Sequence, residues 1–441
     1  MTGEWREVRL GDLVDERVLT ISDGYRVRNE ELGPEGIPFV RGGDIGDGWI
    51  NTSTVDHIRP ELVHRVRAKL AGPGDVAFIT KGTVGRAGRL RAGQPQVVFA
   101  PQVAYWRVVN RDALDPVFVF YLIRSHAFQA ALDGVKTHGA MVADYVSISQ
   151  QQDFRLRIPS IDSQRVIAHI LGTLDDKIEL NWRINETLEV MARALFKSWF
   201  VDFNPVRAKA EGRDPGLPRH ITDLFPGRFV DSELGEIPEG WEMGTLADFA
   251  SLNPETWSRD TRPEVINYID LSNTKWGRIE AVAAYPQKDA PSRAQRVLRP
   301  RDTIVGTVRP GNGSYAFITE DGLTGSTGFA VLRPRKAEYA EFVYLAATVR
   351  DNIESLSHLA DGGAYPAVRP EVVAATQVVR ANQKVLTGFS KNITPLLQRI
   401  AQNERESRIL AALRDTLLPK LISGELRVKD AEQFLEETAE C

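Results

Sequence analysis

The stretch IAHILGTLDDKIELNWRINETLEVMARAL (Ile167–Leu195) decides how the chain is organised. Its apolar side chains stand at Ile167, Ile170, Leu171, Leu174, Ile178, Ile184, Leu188, Met191 and Leu195, largely in steps of three and four. Such steps put them on one narrow face of a helix, the seam of a coiled coil. A second stretch repeats the pattern at Leu386, Phe389, Ile393, Leu396, Leu397, Ile400, Leu410, Leu413, Leu417 and Leu421. Asn204-Pro205 should stop the first helix, because proline lacks an amide donor, and Ser423-Gly424 should cap the second. At about 1.5 Å per residue, a helix of roughly 37 residues is roughly 55 Å long, more than one globular domain needs. Two such helices can bury their stripes on each other, antiparallel, and act as a spacer.

Working outward, the segments ahead of the two helices repeat each other. Trp5-x4-Leu10-x2-Leu13 returns as Trp241-x4-Leu246-x2-Phe249. FVRGGDI (Phe39–Ile45) with Gly48-Trp49-Ile50 matches NYIDL (Asn267–Leu271) with Gly277-Arg278-Ile279. GPGDVAFI (Gly72–Ile79) matches RPRDTIVG (Arg299–Gly306), and Tyr121 and Gly139 match Tyr344 and Gly363. Asp44/Asp270, Asp75/Asp302, Tyr121/Tyr344 and Gly139/Gly363 keep a separation of 223 to 227 residues, the mark of a tandem duplication. In the first copy VAFITKG (Val76–Gly82) and VVFAPQVAYWRV (Val97–Val108) read as strands. Pro116–Leu132 and Ala340–Leu356 have helical spacing. Each copy is therefore a mixed α/β domain of about 150 residues. Between them, residues 204–240 hold five prolines and five glycines, which predicts an irregular connection.

Composition narrows the function. With 441 residues, 42 % of them hydrophobic, the chain can bury several cores. It has no apolar run of about 18 residues that could span a membrane. The start, Met1-Thr2-Gly3-Glu4-Trp5-Arg6-Glu7, is too charged for a signal peptide, and the one cysteine is Cys441, so a cytoplasmic protein is expected. Gly-Lys never occurs, so there is no phosphate loop. Neither HExxH nor GxSxG is present, and the seven histidines lack metal-ligand spacing. The strings nearest to an amino-methyltransferase [DNS]PP[YF] signature, Asn204-Pro205-Val206 and Asn253-Pro254-Glu255, lack its second proline and its aromatic. No catalytic residue and no metal site is expected, and Gly42-Gly43 and Gly362-Gly363 read as turns.

The net charge of −4 gives no global argument for nucleic acid, but local charge does. Between Arg59 and Arg91, eight Lys/Arg face only Glu61 and Asp75. Between Lys288 and Arg309, six face only Asp289 and Asp302. Both copies are basic at matching places, which points to DNA. Turns beside the strands offer the reach: Lys81, Thr83, Arg86 and Arg89 in the first copy, and Arg309, Asn312, Ser314 and Tyr315 in the second. Arginine can pair with guanine and asparagine with adenine, while Ser, Thr and Lys more often hold phosphates. The two loops differ while their frames match, as two readers of different sequences require. His138, Met141 and Tyr145, with Asp361 and Tyr365 in the second copy, flank another glycine-rich turn, where surface or domain-to-helix packing competes with DNA contact.

LDDKIELNWRINETLEVMARALFKSWFVDFNPV (Leu174–Val206) resembles the central conserved region of the specificity subunits (HsdS) of type I restriction-modification systems. LRDTLLPKLISGELRV (Leu413–Val428) resembles their distal conserved region. The resemblance implies an α/β fold with two duplicated target recognition domains separated by a long antiparallel two-helix coiled coil. The expected order is a first recognition domain (1–159), a central long helix (160–203), a Pro/Gly-rich connector (204–238), a second recognition domain (239–380), a distal long helix (381–425) and a tail (426–441). Each recognition domain would read one half of a bipartite, asymmetric site in double-stranded DNA, the helices setting the gap. The chain itself would catalyse nothing. It would place two adenine methyltransferase subunits (HsdM) and a restriction/translocase subunit (HsdR), which would carry S-adenosylmethionine, ATP and magnesium. Phe196, Trp199, Phe200 and Phe203 exceed one narrow stripe and become candidates for partner docking or the hairpin junction. Where family members often enter each helix through a Pro-Pro/Leu-Pro-Glu-Gln string, this chain has IPSIDSQ (Ile158–Gln164) and QVVRANQ (Gln377–Gln383). A protein-binding scaffold with duplicated adaptor domains, or a self-contained DNA-modifying enzyme, are the competing readings.

Overall fold

The computed structural model of the chain describes residues 5–135, 145–232, 235–258, 260–363 and 365–426. His138, Met141, Gly139 and all of the expected tail beyond Leu426 lie outside the described residues. The chain divides into two compact units, residues 1–180 with 406–441, and residues 181–405. Two long helices, Ile161–Phe200 (40 residues) and Gln383–Ser423 (41 residues), each give one part to either unit.

Inside each unit the helix parts run antiparallel. In the first, Asp175 meets Arg414 and Lys177 meets Glu406, while Ile167, Ile170, Leu171 and Leu174 share a core with Leu417, Leu418, Leu421 and Ile422. In the second, Asn181 donates to the Asn403 carbonyl at 3.4 Å and Asn185 to the Ile400 carbonyl at 3.5 Å, with Phe196 against Phe389 beyond. Partner numbers fall as the first helix rises; the stripe read from the sequence is buried at Ile167, Ile170, Leu171, Leu174 and Ile178 and half-buried at Ile184, Leu188 and Leu195, but Met191 is exposed.

The two α/β domains share one topology. The first unit has an antiparallel sheet in the order Leu19–Asp23, Val103–Val108, Val76–Ile79, Ala87–Arg89. The second repeats it with Ala250–Leu252, Phe329–Pro334, Thr303–Gly306, Tyr315–Phe317. A second sheet in each contains one parallel pair, Ile37–Val40 with Val97–Phe99 and Val265–Ile269 with Leu323–Ser326. Each domain is closed by pairing its first and last strands, Arg6–Arg9 with Arg155–Ile158 and Glu242–Thr245 with Gln377–Arg380.

Four local expectations are corrected. The run Val97–Val108 is two strands, because Pro101 cannot donate to a ladder and a turn forms there. The run Pro116–Leu132 is two helices, Pro116–Arg124 and His126–Val135, broken where the Ser125 hydroxyl bonds the Leu122 carbonyl. Ala340–Leu356 breaks likewise into Ala340–Thr348 and Arg350–His358. The region after the first helix is not irregular throughout: it holds a helix, Asn204–Ala210, and a hairpin of Phe229–Ser232 with Gly235–Pro238. The first helix ends at Phe200, Phe203 turns left-handed (φ 52°), and Pro205 sits in the first turn of the next helix, where its missing amide costs nothing.

The most telling repeat is electrostatic. Asp75, buried, receives the Arg107 guanidinium at 2.6 Å and the Gly72 amide at 2.8 Å. Asp302, wholly buried, receives Arg333 at 2.9 Å and the Arg299 amide at 2.9 Å. Each arginine also donates to a backbone carbonyl, Leu70 in one copy and Val297 in the other. Removing one partner of such a pair strands a desolvated charge. Arg333→Ala is therefore expected to cost the second unit about 3–5 kcal/mol, read by calorimetry as a lowered transition for that unit while the first unit's transition stays in place.

Candidate nucleic-acid interface

In each unit one loop leaves the same strand and is fastened in the same way. Thr80 follows Val76–Ile79, and Thr307 follows Thr303–Gly306. Each threonine donates its amide and its hydroxyl to one carbonyl, Gln102 in the first copy and Gly328 in the second. Each threonine carbonyl accepts an amide from a distant segment, Val146 at 3.0 Å and Val368 at 2.9 Å. Isolated bridges continue the match, Lys81 with Tyr145 and Val308 with Ala367. Two loops remote in sequence thus meet twice, at equivalent places.

What the loops display differs. In the first unit Lys81, Thr83 and Arg86 are exposed, and Arg86 is steadied by donating to the Gly42 carbonyl at 2.8 Å. Tyr145, beside Lys81, is 45 % exposed. In the second, Arg309 and Asn312 are exposed, and the Arg309 guanidinium lies 4.7 Å from the ring centre of Tyr365, itself 70 % exposed. Trp276 stands over Gly313 with 54 % exposure; a Cβ on that glycine would come within 2.5 Å of the indole, so the position needs glycine. Sequence reading passed over Trp276, though a tryptophan in the turn Lys275-Trp276-Gly277-Arg278 has no apolar neighbours to bury it.

Three expected contacts turn inward. Ser314 donates to the Leu271 carbonyl at 3.0 Å, and Tyr315 accepts from Arg193 at 3.2 Å; both are buried and hold the loop. Arg89 points toward Tyr121 and the Asp175–Asp176 pair, and burial lowers its pKa. The basic stretches are likewise not single faces. Arg91 pairs with Asp176 and Glu179, Arg299 with Glu255 and Asp321, and Arg301 with Glu341.

The domains grip the first long helix by a repeated device. Tyr121 donates to Asp175 at 2.7 Å, and Tyr344 to Glu189 at 3.1 Å. Burial raises both phenols well above their ordinary value, which keeps them protonated donors. A guanidinium completes each group, Arg414 on Asp175 and Arg193 on Glu189, both at 2.7 Å. At the start of each long helix a glutamine ties it to its domain: Gln164 accepts the Asp115 amide at 3.0 Å, and Gln383 accepts the Tyr339 hydroxyl at 2.7 Å.

A family model described as type I restriction modification DNA specificity domain matches residues 2–190. The type I restriction enzyme HindI specificity subunit of Haemophilus influenzae is 26 % identical, over 96 % of this chain and 100 % of that protein. The MjaIX specificity subunit of Methanocaldococcus jannaschii is 22 % identical, over 97 % of each. The crystal structure of a type I restriction-modification S subunit from M. genitalium superposes with a TM-score of 0.56 at 15 % identity, covering 95 % of this chain and 96 % of that one, which shows a shared fold. The chain is similar over nearly its whole length to type I specificity subunits (HsdS). Among the described residues no helix is long and apolar enough to cross a membrane, and no cluster of His, Cys, Asp and Glu could hold a metal ion.

The four aromatics that the sequence offers for partner docking or the hairpin junction do not form an exposed surface. Phe196, Trp199, Phe200 and Phe203 are all buried. Phe200 packs at 4.9 Å from both Phe342 and Phe389, Trp199 at 4.9 Å from Phe225, and Phe203 at 5.9 Å from Trp241. They seat the second recognition domain and the Asn204–Ala210 region on the helix. Phe200→Ala is expected to destabilise the second unit by about 3–5 kcal/mol; an unchanged melting temperature with lost partner binding would restore the docking role.

Proposed function

We propose that the chain is the sequence-reading subunit of a type I restriction-modification complex, each recognition domain contacting one half of a bipartite, asymmetric DNA site. The observation that carries this is the twice-built loop pair: matched threonine anchors under unmatched exposed side chains. A duplicated frame keeps the geometry of approach, and divergent loops read different bases. Similarity to type I specificity subunits supports it and does not favour the scaffold or the self-contained enzyme.

On this reading the chain is non-catalytic. Two adenine methyltransferase subunits and a restriction/translocase subunit supply the chemistry, with S-adenosylmethionine, ATP and magnesium held by them, and the helix lengths set the gap between half-sites. Work on chromosomal and invading DNA places the complex in the cytoplasm. Lys81, Thr83 and Arg86 serve the first half-site, and Arg309 and Asn312 the second, with Tyr145, Tyr365 and Trp276 beside them.

Mapping methylated adenines in the source genome, with and without this gene, tests the reading. One two-part motif should be methylated only when the gene is present; a methylation pattern indifferent to the gene would refute it. Arg86→Ala should weaken binding to that duplex by about tenfold, within the roughly 1–3 kcal/mol of one base contact, and should alter recognition of one half only.

A further inference from the structure

Each unit mounts an exposed tryptophan beside its loop on one repeated turn. In the first, Gly48 (φ 93°) donates its amide to the Ala87 carbonyl at 2.9 Å and bridges Gly88. In the second, Gly277 (φ 89°) donates to the Tyr315 carbonyl at 3.0 Å and bridges Ala316. Both glycines fasten the turn to the strand into which the loop runs, Ala87–Arg89 or Tyr315–Phe317. Trp49 follows the first glycine and Trp276 precedes the second, and their side chains are 43 % and 54 % exposed.

Both indoles are exposed and yet held. Each rests on a glycine: a Cβ on Gly46 would come within 2.0 Å of the Trp49 ring, and one on Gly313 within 2.5 Å of the Trp276 ring. Trp276 also donates its amide to the Gly313 carbonyl at 2.6 Å and meets Tyr315 edge-on at 6.0 Å. Its backbone is left-handed (φ 48°), a conformation that a bulky residue keeps only where its surroundings impose it. An aromatic ring already fixed in place gives up little freedom on binding, so it serves as an anchor. The surface beside it is the reading loop, so the occupant continuous with it is duplex DNA. An indole has no charge to offer a phosphate; it suits apolar base surface, either the methyl edge of a thymine or the face of a base at an opened step.

We propose that Trp276, and Trp49 in the first unit, press against base surface of the duplex beside each reading loop, giving every half-site one apolar contact that salt does not screen. This rests on the functional reading above and adds two residues and a class of contact to it.

The test uses the whole complex, a duplex carrying its mapped methylation motif, and Trp276→Gly, which removes the indole and relieves the left-handed backbone. Affinity should fall by about tenfold at every salt concentration with the salt slope unchanged, and Trp276→Phe should restore most of it. Two modified duplexes separate the sources of the contact. Deoxyuridine in place of a thymine should weaken wild-type binding and leave Trp276→Gly unaffected if the methyl edge is touched; 2-aminopurine emission should rise with the wild type alone if a step is opened. Either result supports the assignment, and neither responding overturns it. In a measurement independent of folding, the fluorescence that Trp276→Phe lacks should be open to iodide quenching in the free complex and shielded by the duplex; equal quenching in both overturns the contact. So does a loss of affinity with the salt slope reduced by about one, the signature of a phosphate contact, or lost assembly with the methyltransferase subunits while duplex binding stays intact. A wild-type complex that methylates no bipartite motif would instead remove the functional reading beneath it.

Discussion

An apolar stripe forty residues long cannot stay in water, and covering it dictates the rest of the molecule. Within each unit the cover has two parts, the antiparallel stretch of the other long helix and a short helix of the recognition domain. In the first unit Leu171 and Leu174 are closed over by Leu417 and Leu421 and by Phe118 to Ile123. In the second, Phe196 and Phe200 are closed over by Phe389 and Phe342. Because the domains complete the seam, they are fastened to the helices by burial, and the tyrosine–carboxylate bonds add direction to that fastening.

Duplication lets stability and recognition be separated. The buried Asp75–Arg107 and Asp302–Arg333 pairs, the Thr80 and Thr307 anchors and the parallel strand pair hold the frame in both copies. Their carboxylates and threonine anchors are buried and spent on internal bonds. The loops they support carry Lys81 and Arg86 in one copy and Arg309 and Asn312 in the other, so new specificities can arise there without disturbing a core.

The long helices and the repeated domains were legible because both rest on spacing: one on steps of three and four, the other on a constant separation. The site was legible only in part. Arg86, Arg309 and Asn312 stand on turns and remain exposed, but Arg89 and Tyr315 sit at strand residues whose side depends on register, and Ser314 is drawn in by the Leu271 carbonyl, neither of which a loop-based reading supplies. Phe196, Trp199 and Phe200 have i, i+3, i+4 spacing, which is one helix face, and broaden the stripe where a whole domain covers it, while Phe203 follows the helix end in a left-handed turn and packs on Trp241. The meeting of Arg309 with Tyr365 and of Lys81 with Tyr145 depends on tertiary bridges and has no local trace.

If the paired helices are the ruler between two readers, their length must appear in the DNA. Adding one heptad to each long helix at facing positions keeps both seams in phase and lengthens the pair by about 10 Å, the rise of roughly three base pairs. Mapping the methylated motif of that variant should return both half-sites unchanged with a gap about three base pairs longer. The same gap, or altered half-sites, would contradict the account.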